Sequence, residues 1–252
     1  MTESLEKPSS VSKATERACF AGELFLQEQD LHLWFCPERM VVSSDDFKRR
    51  VLSRYAPVAP REWCFELGAS GKPKLVGPDL PGHLESLQFN LSHSREWLVC
   101  AVSGAASVGV DLEYCDPGRD TRKLAQRFFH PDEVAAIDAC KAAERVDRFY
   151  DYWTLKEARV KASGEALAPA LASSSFELSF PVPGGPGAIA ARASDRAATV
   201  QYLLWDLSTG FRLAVCRIGD LALPPCLRLL ALPEEGVAAE FEASLRATSM
   251  RQ

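Results

Sequence analysis

Apolar and polar positions alternate over several stretches of this chain, and a long segment of helical spacing lies between them. Residues 31–35 alternate weakly and predict a first strand. Residues 45–55 put Phe47, Val51 and Leu52 on one helical face, with Ser43 or Ser44 placed to cap it. Residues 87–91 and 97–102 read as strands. Residues 106–114 read as another, with Val108, Val110 and Leu112 on one face and Asp111 and Glu113 on the other. The middle of the chain is predicted helical, first over 120–129. A second helix starts at Pro131-Asp132-Glu133, with a proline in the first turn and acids near the positive end of the dipole. The longest helix is predicted over 145–162 and stops near Gly164, a residue suited to a left-handed cap. Strands follow at 176–180, 200–207 and 211–217, the last two joined through Ser208-Thr209-Gly210 as a hairpin. Residues 181–187 are expected as a loop, residues 1–17 as a loose polar tail, and the stretch from 234 onward as a short amphipathic helix.

Strands and a helix followed by helices and strands predict an α+β fold with antiparallel pairing. The expected organisation is a tail over 1–17, an N-terminal half over 18–115 and a C-terminal half over 116–252. Asp111 and Glu113 would stand beside that junction, where ligand sites often fall.

Composition alters this picture little. At 252 residues, 47% hydrophobic and 25% charged, the chain is long enough for a sizeable core. A net charge of −5 gives no global pull toward nucleic acid, so any basic surface is local. No apolar stretch approaches the roughly 20 residues of a membrane span, and the N-terminus shows no signal-peptide pattern. Eight scattered cysteines, none in CxxC spacing, read as small core residues of a reducing compartment, so a cytoplasmic location is expected.

Candidate chemistry sits in four short segments. Asp111 and Glu113, two apart on a strand, project from one face about 7 Å apart. Their mutual repulsion is relieved by a hard cation such as Mg²⁺, which takes oxygen ligands; an exposed polar strand face would look the same. Glu157 and Lys161 share a helical face at i and i+4, with Trp153 one turn earlier. Glu157 could complete a metal site or act as general base, and Lys161 could neutralise a phosphate oxygen; alone, they also suit an ordinary surface pair. In Phe89-Asn90-Leu91-Ser92-His93-Ser94, neighbours point to opposite sides of an extended segment, so Ser92 and His93 make a poor nucleophile and base. Hydrogen bonding to phosphate suits them better. Gly71-Lys72-Pro73 is a turn carrying one lysine.

In this order and at these separations, the four segments resemble the 4′-phosphopantetheinyl transferases of the broad-specificity type that serves peptide and polyketide synthases. The resemblance covers roughly residues 48–217. It implies transfer of the phosphopantetheine arm of coenzyme A to a serine of an apo acyl or peptidyl carrier protein, releasing adenosine 3′,5′-bisphosphate. It also implies two similar α+β halves in one chain, with coenzyme A in the cleft between them, and hence a monomer. By resemblance, Asp111, Glu113 and Glu157 bind Mg²⁺ (Mn²⁺ as a substitute), and Glu157 takes the carrier serine's proton, instead or as well. Lys161 stabilises charge on the pyrophosphate, and Lys72, Ser92 and His93 hold the coenzyme A phosphates. Longer family members carry a basic helical stretch after the first strand for the 3′-phosphate; here about a dozen residues separate Phe35 from Lys48. Arg49 and Arg54, along with Arg39, Lys48 and Arg50, are the candidate substitutes. Carrier proteins are mostly acidic, and Arg119, Arg122, Lys123 and Arg127, with Leu124 and Phe128, offer a local basic face. Two other readings stand beside this one: a non-catalytic coenzyme A or carrier-binding module, motivated by the shortened segment, and a metal-dependent phosphodiester hydrolase, for which 4 histidines are few.

Overall fold

The computed structural model describes residues 24–68, 71–76, 84–165, 171, 174–180, 186–191, 199–207, 210–221, 225–232 and 243–249. The tail expected over 1–17, residues 181–185 of the expected loop and residues 234–242 of the expected C-terminal helix lie outside these.

The first half runs through β1 (Asp30–Pro37), α1 (Ser44–Leu52), β2 (Phe65–Leu67), β3 (Pro73–Leu75), β4 (Gln88–Ser94) and β5 (Trp97–Ser103). The second runs through β6 (Ser107–Tyr114), α2 (Thr121–Phe128), α3 (Pro131–Asp138), α4 (Arg145–Ser163), β7 (Phe176–Ser179), β8 (Gly187–Ala191), β9 (Thr199–Leu207) and β10 (Phe211–Gly219). Two further strands are β11 (Cys226–Ala231) and β12 (Ala243–Thr248).

The two halves repeat one topology. In the first, β1 pairs antiparallel with β5 and β5 with β4; in the second, β6 pairs antiparallel with β10 and β10 with β9. A helix connects the first strand to the later pair each time, α1 in one half and α4 in the other. The fold is α+β, in layers of helix, sheet, sheet and helix. Leu31, Leu33, Val99, Val108, Val110, Leu112, Leu213 and Val215 fill the space between the sheets. Phe47, Val51 and Leu52 of α1 cover the outer face of the first sheet with Trp34 and Cys100. Leu155 and Ala158 of α4 cover the outer face of the second with Leu204 and Ala214. Each fully buried Leu, Val or Phe contributes about 1.5–3 kcal/mol.

Strand pairing moves the division between halves from the expected 115/116 to residues 104–106, because β6 belongs to the larger sheet. Nor does everything after 116 stay in the second half, since β11 returns to lie parallel to β1. The alternation of β6 announces a strand with one buried face, but not which strand it pairs with. Residues 243–248, expected as part of a helix, form β12 instead, because the free edge of β9 supplies hydrogen-bonding partners.

The caps follow the expected chemistry. Ser43 Oγ accepts from Asp46 N, and Asp120 caps α2. Gly164 ends α4 at φ 72° with its N–H on Val160 O. Helix α1 stops at Leu52 rather than Tyr55, since Tyr55 turns inward to a buried polar knot. Trp34 Nε1 donates to Tyr55 Oη at 2.8 Å, and His32 Nδ1 lies 2.8 Å from the same oxygen. His32 Nε2 is buried without a hydrogen-bond partner, 4.0 Å from Asp30 Oδ2.

Burial, with Arg228 nearby, lowers the pKa of His32 to about 4 against a weaker opposing pull from Asp30. A ring that stays neutral when folded stabilises fully above pH 6.5, the unfolded value, and loses that contribution as pH falls from there toward 4. Urea titrations of the wild type should lose roughly 2–3 kcal/mol more than those of His32→Gln between pH 7 and 4.5. Equal pH slopes in the two proteins would contradict this.

Candidate functional site

Strand β6 supplies the first two candidate residues. Its apolar face enters the core between the sheets, which turns Asp111 and Glu113 toward α4. Gly109 sets how near that helix comes: a Cβ there would lie 2.0 Å from Ala158 O and 2.4 Å from Ala162 N. Helix backbone thus rests directly on strand backbone, and Glu157 and Lys161 flank the contact. Even Gly109→Ala should destabilise by about 3 kcal/mol in denaturant unfolding, since neither backbone can yield locally.

At the centre of the site Lys161 Nζ lies 2.7 Å from Asp111 Oδ1 and donates to Ser92 Oγ at 3.1 Å. Ser92 Oγ in turn donates to Asp111 Oδ1 at 3.0 Å and accepts from Leu112 N at 3.2 Å. Asp111 is 4% exposed, and its Oδ2 is buried with no hydrogen-bond partner. Burial raises its pKa, while Lys161, Ser92 and Leu112 N–H act the other way. Glu113 Oε1 accepts from Trp153 Nε1 at 3.0 Å. Burial, and next the charge of Asp111, pushes Glu113 up to about 7. Glu157 is likewise pushed up to about 7, by burial first and then by Asp111, with Lys161 and Arg119 opposing.

Ser92 reaches Asp111 through a seam between the two sheets. Strands β4 and β6 are sheet edges that abut without backbone pairing. Alternate β4 side chains bridge them: Asn90 Oδ1, Ser92 Oγ and Ser94 Oγ accept from the backbone N–H groups of Val110, Leu112 and Tyr114 at 3.0, 3.2 and 2.9 Å. Sequence reasoning missed this role for Asn90 and Ser94. The signal was there, as three polar residues at period two on a strand facing a neighbouring edge.

The structure brings Asp111, Glu113, Glu157, Lys161 and Ser92 together. Arg119, expected only on a docking face, acts electrostatically on both Glu113 and Glu157 and sits 5.3 Å over the Trp153 ring. His93 is exposed and points away from Ser92, as strand alternation requires. Lys72 donates instead to Val108 O at 2.9 Å, Ser107 Oγ at 3.2 Å and Ala162 O at 3.3 Å, and burial lowers its pKa to about 8. To meet a phosphate it would have to leave three oxygens. Arg49 is bound to Trp63 O at 2.5 Å, Pro60 O at 3.2 Å and Asp45 at 2.5 Å, in the layer outside the first sheet. Arg54 stands just after α1, where its carbonyl accepts from Leu24 N.

Among the described residues no three acids, histidines or cysteines stand in a group that could hold a metal ion as placed. Asp111 is held by Lys161 and Ser92, and Glu113 by Trp153. The donor chemistry nevertheless fits a hard cation, with three oxygen-only side chains and an orphaned, buried Asp111 Oδ2.

A family model described as the 4′-phosphopantetheinyl transferase superfamily matches residues 107–216, the span from β6 to β10 that carries Asp111, Glu113, Glu157 and Lys161. The chain is 38% identical over 120 residues to 4′-phosphopantetheinyl transferase HetI of Nostoc sp., covering 48% of this chain and 49% of the relative. It is 30% identical over 168 residues to 4′-phosphopantetheinyl transferase psf-1 of Bacillus pumilus, covering 67% and 66%. Against 4′-phosphopantetheinyl transferase Sfp of Bacillus subtilis it is 28% identical over 192 residues, 76% of each chain. The chain spans about half the length of the Nostoc relative and of a second relative from Synechocystis sp.. Over these spans the chain is similar to members of the 4′-phosphopantetheinyl transferase superfamily. Among the described residues no helix is long and apolar enough to cross a membrane.

Proposed function

We propose that this protein transfers the 4′-phosphopantetheine arm of coenzyme A to a serine hydroxyl of an apo acyl or peptidyl carrier protein, with Mg²⁺, and releases adenosine 3′,5′-bisphosphate. The observation that carries this reading is the joining of Asp111, Ser92 and Lys161, with Glu113 and Glu157 beside them, where the two halves meet. The carrier serine oxygen forms a bond to the pantetheine-side phosphorus, and the bond from that phosphorus to the bridging pyrophosphate oxygen breaks. Such transfer is catalysed mainly by positioning and charge neutralisation.

In this reading Lys161, now on Asp111, neutralises charge on the pyrophosphate. In the same reading Glu157 accepts the serine proton, a role that its pKa, raised to about 7, supports near neutral pH. Asp111, Glu113 and Glu157 are the residues that would hold Mg²⁺, which when bound supplies charge neutralisation of the pyrophosphate oxygens. Ser92 is unsuited as a nucleophile, since its buried oxygen already accepts from Leu112 N and Lys161 Nζ, which engage its lone pairs. The attacking oxygen therefore comes from the partner. Exposed His93 and, after leaving its carbonyls, Lys72 would meet coenzyme A phosphates, with Arg49 or Arg54 toward the 3′-phosphate. Lys123 and Arg127, exposed on α2, offer the acidic carrier a basic face beside Leu124 and Phe128.

The test is the intact mass of an apo carrier protein after incubation with the protein, Mg²⁺ and coenzyme A. A gain of one phosphopantetheine arm, lost with EDTA, supports the reading. No gain across fatty-acid, polyketide and peptide carriers would move it to the binding-module reading.

A further inference from the structure

Lys161 and Asp111 are both required by the proposed function, yet in this structure they are bound to each other. The ammonium sits 2.7 Å from Asp111 Oδ1 and within hydrogen-bond reach of Ser92 Oγ. Ser92 cannot leave this arrangement easily, because its Oγ is also fixed to Leu112 N across the seam. Asp111 is thus already supplied with a positive charge, and its second oxygen, Oδ2, is the one left over. A divalent cation arriving at Oδ2 would stand within a few ångströms of the ammonium, a like-charge contact in a partly buried site that the neighbouring carboxylates offset only in part. An anion set between the two charges relieves it. Of the partners in the proposed reaction, the pyrophosphate of the donor is the one that brings such an anion to this spot.

Resting on the functional reading above, we infer that Lys161 is the resident counter-ion of Asp111 in the free protein, and that the divalent cation is admitted only together with a pyrophosphate, to which Lys161 then shifts. Binding of cation and donor is consequently cooperative. The cooperativity lives in one side chain that exchanges a carboxylate for a phosphate.

The probe is Mn²⁺, titrated by electron paramagnetic resonance into the full chain without carrier protein, so that no turnover occurs. For the wild type, coenzyme A should tighten Mn²⁺ binding at least about tenfold, whereas adenosine 3′,5′-bisphosphate, which lacks the pyrophosphate, should not. Lys161→Gln should bind Mn²⁺ about tenfold more tightly than wild type when coenzyme A is absent, and should show little further gain when it is added. Lys161→Arg, which keeps the charge, should bind Mn²⁺ as weakly as wild type; thermal melts check that both variants fold. Equal or weaker coenzyme A-free Mn²⁺ binding by Lys161→Gln overturns the counter-ion role while leaving the functional reading intact. Absence of Mn²⁺ binding by wild type even with coenzyme A overturns both, and so does an Asp111→Asn variant that binds Mn²⁺ normally.

Discussion

Asp111→Ala is expected to leave a folded protein that transfers no measurable phosphopantetheine, with kcat/KM down by at least about a thousandfold. Asp111 touches or acts electrostatically on each of the other four candidate residues of the site. Its Oδ1 holds Lys161 and Ser92, its Oδ2 is the orphaned buried oxygen, and its charge is among the causes that raise Glu113 and Glu157. Truncation removes an oxygen pair of the proposed metal site, frees Lys161 and alters the pKa values of the two remaining acids together. Because Lys161, unlike Lys156, is 27% exposed and can turn to water once Asp111 is gone, circular dichroism and the unfolding midpoint should stay near wild type. Glu157→Ala should lose transfer to a similar degree for a different reason, the loss of the proposed proton acceptor. Near-normal turnover by both purified variants would rule out the proposed activity for this site.

The largest effect on stability is expected elsewhere, at Glu133→Ala, which should lower unfolding free energy by about 3–5 kcal/mol. Glu133 on α3 and Lys156 on α4 are both fully buried and lie 2.8 Å apart. Lys156 also donates to Leu171 O at 2.7 Å and to Ser174 O, while Glu133 accepts from Phe176 N and His130 N, both at 2.9 Å. Burial is the largest cause acting on each group, upward for Glu133 and downward for Lys156, and each opposes it in the other. Removing the acid therefore leaves an uncompensated ammonium in the core. The double variant Glu133→Leu with Lys156→Met should recover most of the loss, since a matched apolar pair restores packing without a stranded charge. If Glu133→Ala instead unfolds within about 1 kcal/mol of wild type in urea, the pair contributes far less than its burial implies. Lys156 neighbours Glu157, so this knot also fixes the turn of α4 that carries the proposed base.

Much of this was legible along the chain. The period-two pattern of β6 placed Asp111 and Glu113 on one face, and i, i+4 spacing placed Glu157 and Lys161 on one side of α4. Ser43, Asp120 and Gly164 marked helix ends by local backbone chemistry. Strands β2 and β3, three residues each, were too short to show a period. Strands β8 and β11 escaped notice as well, Gly187–Ala191 being made of small residues and Cys226–Ala231 lying at a sheet edge with much of its apolar surface exposed.

By itself the sequence determined which residues face which way on each element, because alternation and helical spacing are set within a turn or a residue pair. Which elements meet was decided only in the tertiary structure. Nothing local to Lys72 announces that it would donate to Ala162 O rather than await a phosphate, and nothing local to Ser92 announces the N–H of Leu112. Those contacts span 90 and 20 residues and depend on two sheet edges abutting and on α4 lying against a strand with no Cβ at Gly109. Long-range pairing is selected by the burial and hydrogen bonding of the whole, and this is what turned a list of charged residues into a site.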